Sequence, residues 1–225
     1  MSAPKLSRSD GHIVLGSRSP QRYELMCHLV GEDRVVVCPP IDPLEADLTC
    51  VRKYDEISRL LIDIARTKHA DVTAQLENQP NSDFTSAIIT ADTVIVGFDE
   101  QNQTHVLGQP PDDDTWPDVV REWFERYLLR APHHAITALC VSRPRDELIE
   151  RVVSTEVMFR ADSGKWLDWY LSTGEPRGKA GGYGLQGAGS LFVERIVGSP
   201  SNVIGLPVYE TAKVLSELGV FGRSA

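Results

Sequence analysis

GKAGGYGLQGAGSLFVERIVGSPSNVIGLPV, residues 178–208, gathers eight glycines around one lysine, Lys179, and one glutamine, Gln186. Glycine weakens helices and strands because it loses the most backbone entropy on folding. A cluster this dense therefore calls for a left-handed backbone or for close approach of the main chain to a ligand. Lys179 offers that ligand a charge and Gln186 an amide. A flexible linker is the plainer alternative. Against it, the block also carries Tyr183, Leu185, Leu191, Phe192 and Val193, which a solvated linker would not hold. Within the block, SLFVERIV (190–197) reads as a strand.

Outward from this block the chain mixes strands and helices. HIVLG (12–16) reads as a short buried strand. Ser19 then suits an N-cap and Pro20 the first helical turn, with Leu25, Met26, Leu29 and Val30 at helical spacing. RVVVC (34–38) reads as a second strand, stopped by Pro39-Pro40, and residues 41–50 as an acidic loop. The spacing of Ile57, Leu60, Leu61, Ile64 and Ala65 predicts an amphipathic helix over 54–77, broken by NQPNSDF (78–84). SAIITADTVIVGF (86–98) is strand-like, residues 109–117 form a loop, and Val119, Val120, Trp123, Phe124 and Tyr127 mark another helix. Residues 134–143 and 148–160 suggest two antiparallel strands. A short helix over 164–172 ends at Gly174 and Pro176, and a last helix runs from Pro207 to Gly219. Mixed order without strict alternation predicts an α/β fold: a mixed sheet with helices on both faces, bent into two lobes.

Composition narrows the function. The chain has 225 residues, 41% hydrophobic and 24% charged, as in a soluble globular domain. A net charge of −9 argues against broad binding to nucleic acid or to an anionic membrane. It still allows an anionic small molecule held by a local basic cluster. No apolar run approaches the ~20 residues that span a bilayer, and MSAPKLSRSDGH at the N-terminus lacks the apolar core of a signal peptide. Cys27, Cys38, Cys50 and Cys140 form no CxxC, so neither disulfides nor zinc is expected and a reducing cytoplasm is the default. His133 and His134, adjacent on a strand, point to opposite faces and are not expected to bind a metal jointly.

Three places could carry chemistry. Ser17-Arg18-Ser19-Pro20-Gln21-Arg22 joins the first strand to the first helix, where free N–H groups and the helix dipole favour phosphate. Ordinary capping by Ser19 beside surface arginines is the competing reading. Asp92 lies inside an apolar strand, where a carboxylate is costly unless it is paired or binds a metal. It can be a general base, a magnesium ligand, or a strand-end carboxylate bonded to a nearby loop. Lys68, four residues after Ile64, either snorkels to solvent or points into a polar pocket. Together with Lys179 and Gln186 these residues fit a pocket for a phosphorylated small molecule and a divalent metal. No nucleophile elbow or GxGxxG after a strand competes.

Several blocks then resemble, in order, those of the Maf-like nucleotide pyrophosphatases: LGSRSPQRYELM (15–26), IARTKHADV (64–72), TADTVIV (90–96), VLGQPPD (106–112), HAITALCV (134–141) and the glycine block itself. The matches run from about residue 12 to 215, so residues 1–225 read as a single Maf-like domain. The resemblance implies an elongated α/β fold, related to that of the inosine triphosphatases, with a deep cleft between two lobes. It implies hydrolysis of a nucleoside triphosphate to monophosphate and pyrophosphate with magnesium or manganese. Asp92 would activate water and take part in holding the metal. Ser17, Ser19, Arg22, Lys68 and Lys179 would hold the phosphates, while Gln21, Thr93 and Gln186 would select the base. A homodimer is the expected assembly.

Two positions depart from the family pattern. Gln21-Arg22 stands where the family has Arg-Arg, and Gly108-Gln109-Pro110 where it has Gly-Lys-Pro. Each removes a cation, and a charge-assisted hydrogen bond contributes about 1.5–3 kcal/mol, so phosphate binding is expected to weaken without being abolished. Arg18 and Lys165 are the candidate replacements. Thr93 points to the branch acting on dTTP and UTP, from which Gln21 departs; the 7-methyl-GTP branch differs at both positions. A weakly catalytic nucleotide-binding regulator of cell division is the reading from another class. The resemblance also implies an acid from the loop after the second strand, a role open between Asp42 and Glu45, and DEQNQT (99–104) has no functional assignment.

Overall fold

The structure, a computed structural model, describes residues 11–41, 48, 50–77 and 85–220. Among these residues seven strands form one mixed sheet: β1 (His12–Leu15), β2 (Val35–Val37), β3 (Thr85–Phe98), β4 (Thr104–Leu107), β5 (His133–Ser142), β6 (Ile149–Phe159) and β7 (Val193–Val197). The order is β2-β1-β3-β5-β6-β7, with β4 also on β3. β1 runs parallel to β2 and β3, and the remaining pairs are antiparallel. Among the described residues six α-helices flank the sheet: α1 (Pro20–Val30), α2 (Tyr54–Glu77), α3 (Trp116–Trp123), α4 (Leu167–Ser172), α5 (Pro200–Ile204) and α6 (Val208–Glu217).

β3 organises the molecule because its side chains alternate between faces. On one face Ala87, Ile89 and Ala91 pack with β1, α1 and α6 around Met26, Leu206 and Val214. Farther along the same face, Ile95 joins an aromatic core of Phe124, Phe159, Tyr170 and Phe192 under α3 and α4. Thr93 falls between these two cores. On the opposite face Val94 and Val96 pack with Ile57, Leu61 and Ile64 of α2. The expected mixed sheet with helices on both faces is therefore present, and two cores share one strand.

The edge of β3 away from β5 changes partner midway. β1 pairs with it up to Ile89, and β4 begins at Ile95. Between these points residues 90–94 have no strand partner on that edge among the described residues. The gap opens a cleft onto both sheet faces at once. The turn that brings β4 back is closed by Asp99, whose carboxylate accepts the N–H groups of Gln101 at 3.0 Å and Gln103 at 2.8 Å and sits 2.8 Å from His105 Nε2. This gives residues 99–104 a structural role.

Most predicted elements lie where the patterns place them; β4 and α5 are additional, and three elements differ in detail. Residues 188–192 form a 3-10 turn, so the strand is shortened to Val193–Val197. The turn follows from Gly187 and Gly189, where a Cβ would overlap Glu175 and Tyr170 respectively. The buried stripe of α1 is Met26 and Val30, with Leu25 and Leu29 only partly covered. After Trp123 the helix continues as one π turn over Phe124–Leu128, which buries Phe124, Tyr127 and Leu128 together. The acidic loop and the 78–84 break lie outside the described residues, apart from a few positions at the loop's margins.

Candidate active site

The cleft is a cavity of about 940 Å³, the size of a small-ligand site. Ser17, Ser19, Gln21 and Arg22 line one side, and Lys68, Asp92 and Thr93 line the floor. Lys179 and Gln186 close the other side. Ser17, Ser19, Gln21, Arg22, Lys68, Asp92, Thr93, Lys179 and Gln186 thus meet at one place, although they span more than 160 positions of chain. Four cations, Arg18, Arg22, Lys68 and Lys179, face two acids, Asp92 and Glu175, across this cavity. A local basic cluster exists in a chain of net charge −9.

Asp92 sits on the α2 face of β3 and is 5% exposed. A carboxylate this buried needs a counter-charge. Lys68 supplies it: its Nζ donates to Asp92 Oδ1 at 2.5 Å. Lys68 lies on the same side of α2 as the buried Ile64, Ala65 and Val72, so its stem crosses apolar packing and its ammonium reaches the cleft instead of solvent. α2 is held against the strand beside this pair by Thr90, whose hydroxyl donates to the Ala65 carbonyl at 2.8 Å.

Thr93 points to the other face, where α1 lies. Its Oγ1 accepts from Arg22 Nη2 at 3.0 Å and lies 2.9 Å from Thr137 Oγ1 on β5. Arg22 also donates through Nε to the Gly205 carbonyl at 2.8 Å and through Nη1 to Ser17 Oγ at 3.3 Å. Its guanidinium is therefore fixed in the cavity wall by three elements. The start of α1 is capped as expected: Ser19 Oγ accepts the Arg22 N–H at 3.3 Å and donates to Gln21 Oε1 at 3.1 Å. Ser17, 6% exposed, accepts the Ser19 N–H at 3.1 Å. Capping and cavity lining are thus properties of the same residues.

Of the two suggested replacement cations, Arg18 lines the cavity and donates to the Pro40 carbonyl at 2.7 Å. Lys165 is elsewhere, paired with Asp162 at 2.9 Å on the surface. Gln109 lines the cavity. Asp42 and Glu45 lie outside the described residues.

Of the two reasons for a dense glycine cluster, left-handed backbone accounts for most of this block. Gly178, Gly181, Gly182, Gly198 and Gly205 have positive φ, which explains them by backbone conformation. A Cβ on Gly181 would meet Ile95 at 2.7 Å and one on Gly182 would meet Val120 at 2.9 Å, so close packing against the protein's own core adds to the requirement. Lys179 donates to the Glu175 carbonyl at 2.7 Å, and Gln186 Nε2 reaches Glu24 Oε2 on α1 at 3.3 Å. Tyr183 anchors the loop to the sheet through His133 Nε2 at 2.9 Å, and burial pushes that imidazole down to about 3. His133 is wholly buried and His134 only half so, in line with opposite faces.

Sequence reading missed Glu175, which lines the cavity and receives several loop donors. In the sequence it stands between the helix-ending Gly174 and Pro176, where an acid looks like ordinary loop. Its one signal is position, four residues before Lys179.

Among the described residues, no three His, Cys, Asp or Glu side chains gather as a ready-made metal cage. Magnesium, however, is commonly held by one or two carboxylates together with substrate phosphates, and Asp92 at the cleft floor fits that donor pattern.

The chain belongs to the Maf-like protein family, whose sequence profile matches residues 12–218. Among its curated relatives is the dTTP/UTP pyrophosphatase of Anaeromyxobacter dehalogenans, 36% identical, with 92% of this chain and 94% of the relative covered. The dTTP/UTP pyrophosphatases of Methylobacillus flagellatus and Pyrococcus furiosus are 35% and 31% identical, each over 92% of this chain and over 93% and 95% of the relative. A HAM1 protein from Coxiella burnetii is a more distant solved structure, with a TM-score of 0.49 and 15% identity over 92% of this chain and 98% of that one. Among the described residues no helix is long and apolar enough to cross a membrane.

Proposed function

We propose that this protein hydrolyses nucleoside triphosphates, dTTP and UTP foremost, to the monophosphate and pyrophosphate. The observation that carries the proposal is the convergence of Ser17, Arg22, Lys68, Asp92, Thr93, Lys179 and Gln186 on one cavity. The dTTP/UTP names of the 31–36% identical relatives support the nucleotide preference.

In this reading Asp92 takes the proton of the attacking water, and Lys68 holds its carboxylate at the floor of the cleft. Arg22, Lys179 and the N–H groups at the start of α1 receive the phosphates, so the negative charge that builds on the departing pyrophosphate meets fixed cations. Thr93, at the floor, and Gln186, at the rim, contact the nucleoside end. Gln21, bonded to the Ser19 hydroxyl, presents no cation there, and Arg18 supplies one nearby. A magnesium or manganese ion, held by Asp92 and the substrate's own phosphates, would neutralise phosphate charge and polarise the phosphoryl oxygens. The reading includes a reducing cytoplasm, compatible with four free thiols, and a homodimer as the simplest symmetric assembly.

The test is pyrophosphate release from dTTP, UTP and 7-methyl-GTP with magnesium or manganese, for the wild type and Asp92→Asn. Release from dTTP or UTP should fall by ~10²–10⁴-fold in the variant, the usual contribution of a general base. Undiminished release by a folded Asp92→Asn protein would falsify the assignment. Preference for 7-methyl-GTP would move the protein to the other branch, and binding without release by the wild type would favour the regulator.

A further inference from the structure

We propose that Glu175 is the positioning residue of the glycine-rich loop: its carboxylate fixes the backbone of residues 187–189 and its main-chain oxygen fixes the Lys179 ammonium. The catalytic consequence rests on the nucleotide reading above. A carboxylate facing a cavity that receives phosphates is unfavourable by charge alone, so its presence needs a structural account.

That account lies in its partners. The Glu175 carboxylate accepts the Ala188 N–H at 2.6 Å, the Gly189 N–H at 3.0 Å and the Tyr170 hydroxyl at 3.2 Å. Its charge is met by these loop and tyrosine donors. Hydrogen bonds to a charged acceptor are about twice as strong as neutral ones. The loop is shaped to this side chain. A Cβ at Gly187 would overlap the carboxylate of Glu175, and one at Gly184 would lie 3.3 Å from it and 2.7 Å from Lys179 Cε. A Cβ at Gly189 would meet the Tyr170 hydroxyl at 2.9 Å. Gly187 has φ −118°, which any residue adopts, so contact with Glu175 is what its lack of a side chain accommodates.

Two effects on the site follow. Gln186 immediately precedes the clamped segment, so its place on the rim depends on that clamp. Lys179 is held by a neutral carbonyl, at 2.7 Å, and this bond leaves its positive charge available to the cavity. Glu175 therefore acts through Lys179 and Gln186 and need not touch substrate.

The test uses Glu175→Gln, which keeps the size of the side chain but sets an amide donor against one of the two loop N–H groups. Amide exchange at Ala188 and Gly189, followed by NMR, should speed up by roughly tenfold or more, the loss of about one charge-assisted bond. Exchange at Gly181, which is bonded to the Gly108 carbonyl at 2.9 Å, should stay as it was. KM for dTTP or UTP should rise roughly ten- to a hundredfold, with kcat changed much less. In a Gln186→Ala chain the same substitution should raise KM far less, because the carboxylate clamp reaches substrate through Gln186, while the main-chain bond to Lys179 is kept in both. Gly187→Ala should reproduce the exchange change by displacing the carboxylate, and should lose that effect in a Glu175→Ala chain. Unchanged exchange at Ala188 and Gly189 overturns the proposal. Faster exchange with an unmoved KM in an active enzyme overturns the positioning role. A wild type that releases no pyrophosphate refutes the nucleotide reading instead, and the exchange measurements still decide whether Glu175 shapes the loop.

Discussion

Lys68 and Asp92 are 13% and 8% exposed at their side chains, and each is the other's direct counter-charge. Breaking a buried pair by removing one partner costs about 3–5 kcal/mol, because a charge remains in a poor solvent. Lys68→Met should therefore lower the stability measured in urea by about that much. Adding Asp92→Asn to that variant should restore most of the loss, since neither charge remains. Additive losses in the double variant would show that the pair is not energetically coupled. Asp92 was legible in the sequence as an acid in an apolar strand. Its partner was not: spacing places Lys68 beside the apolar stripe of α2 but does not say whether its ammonium meets water or a carboxylate on a strand 24 positions away. Thr93 and Arg22 illustrate the same limit. Each was singled out separately, and only packing of α1 against β3 joins them at 3.0 Å.

At the scale of elements, long-period patterns translated directly. The 54–77 helix was predicted to the residue, because its apolar spacing and the breaker after it are local features. β4 and the 188–192 turn were not read, because β4 is only four residues long and the turn is imposed by loop contacts. The junction of β1 and α1 shows how tightly elements constrain one another. Gly16 donates to the Ile89 carbonyl at 2.8 Å, and a Cβ there would stand 2.5 Å from Thr90 Cγ2 and 2.8 Å from Val72 Cγ2. Both neighbours are β-branched and stiff, and Thr90 is tied to α2 by its hydroxyl. Gly16→Ala should thus cost about 1–3 kcal/mol of stability. It should also lower pyrophosphate release, since Ser17 to Arg22 follow directly. A melting temperature and activity equal to wild type would contradict this packing argument.

At the scale of the molecule, β3 and β5 run through both cores, so neither core has a sheet of its own. Ile89 and Leu139 serve the β1 side, while Ile95 and Ala135 serve the aromatic side. The two should unfold together. Phe124→Ala, in the aromatic core, and Met26→Ala, in the other, should each cost about 2–5 kcal/mol. Both should move one common transition, seen alike by tryptophan fluorescence and far-ultraviolet circular dichroism. Two separable transitions would mean that the halves are independent.

By itself the sequence determined the class of fold, the family and most of the residues at the cleft, because periodicity, caps and motifs are local and survive in one dimension. Tertiary structure alone decided where β3 loses its edge partner, that Lys68 turns inward to Asp92, and that the glycine block closes around Glu175. Those are contacts between distant segments. They arise from burying charges and backbone together, and no spacing along the chain encodes which distant groups will meet.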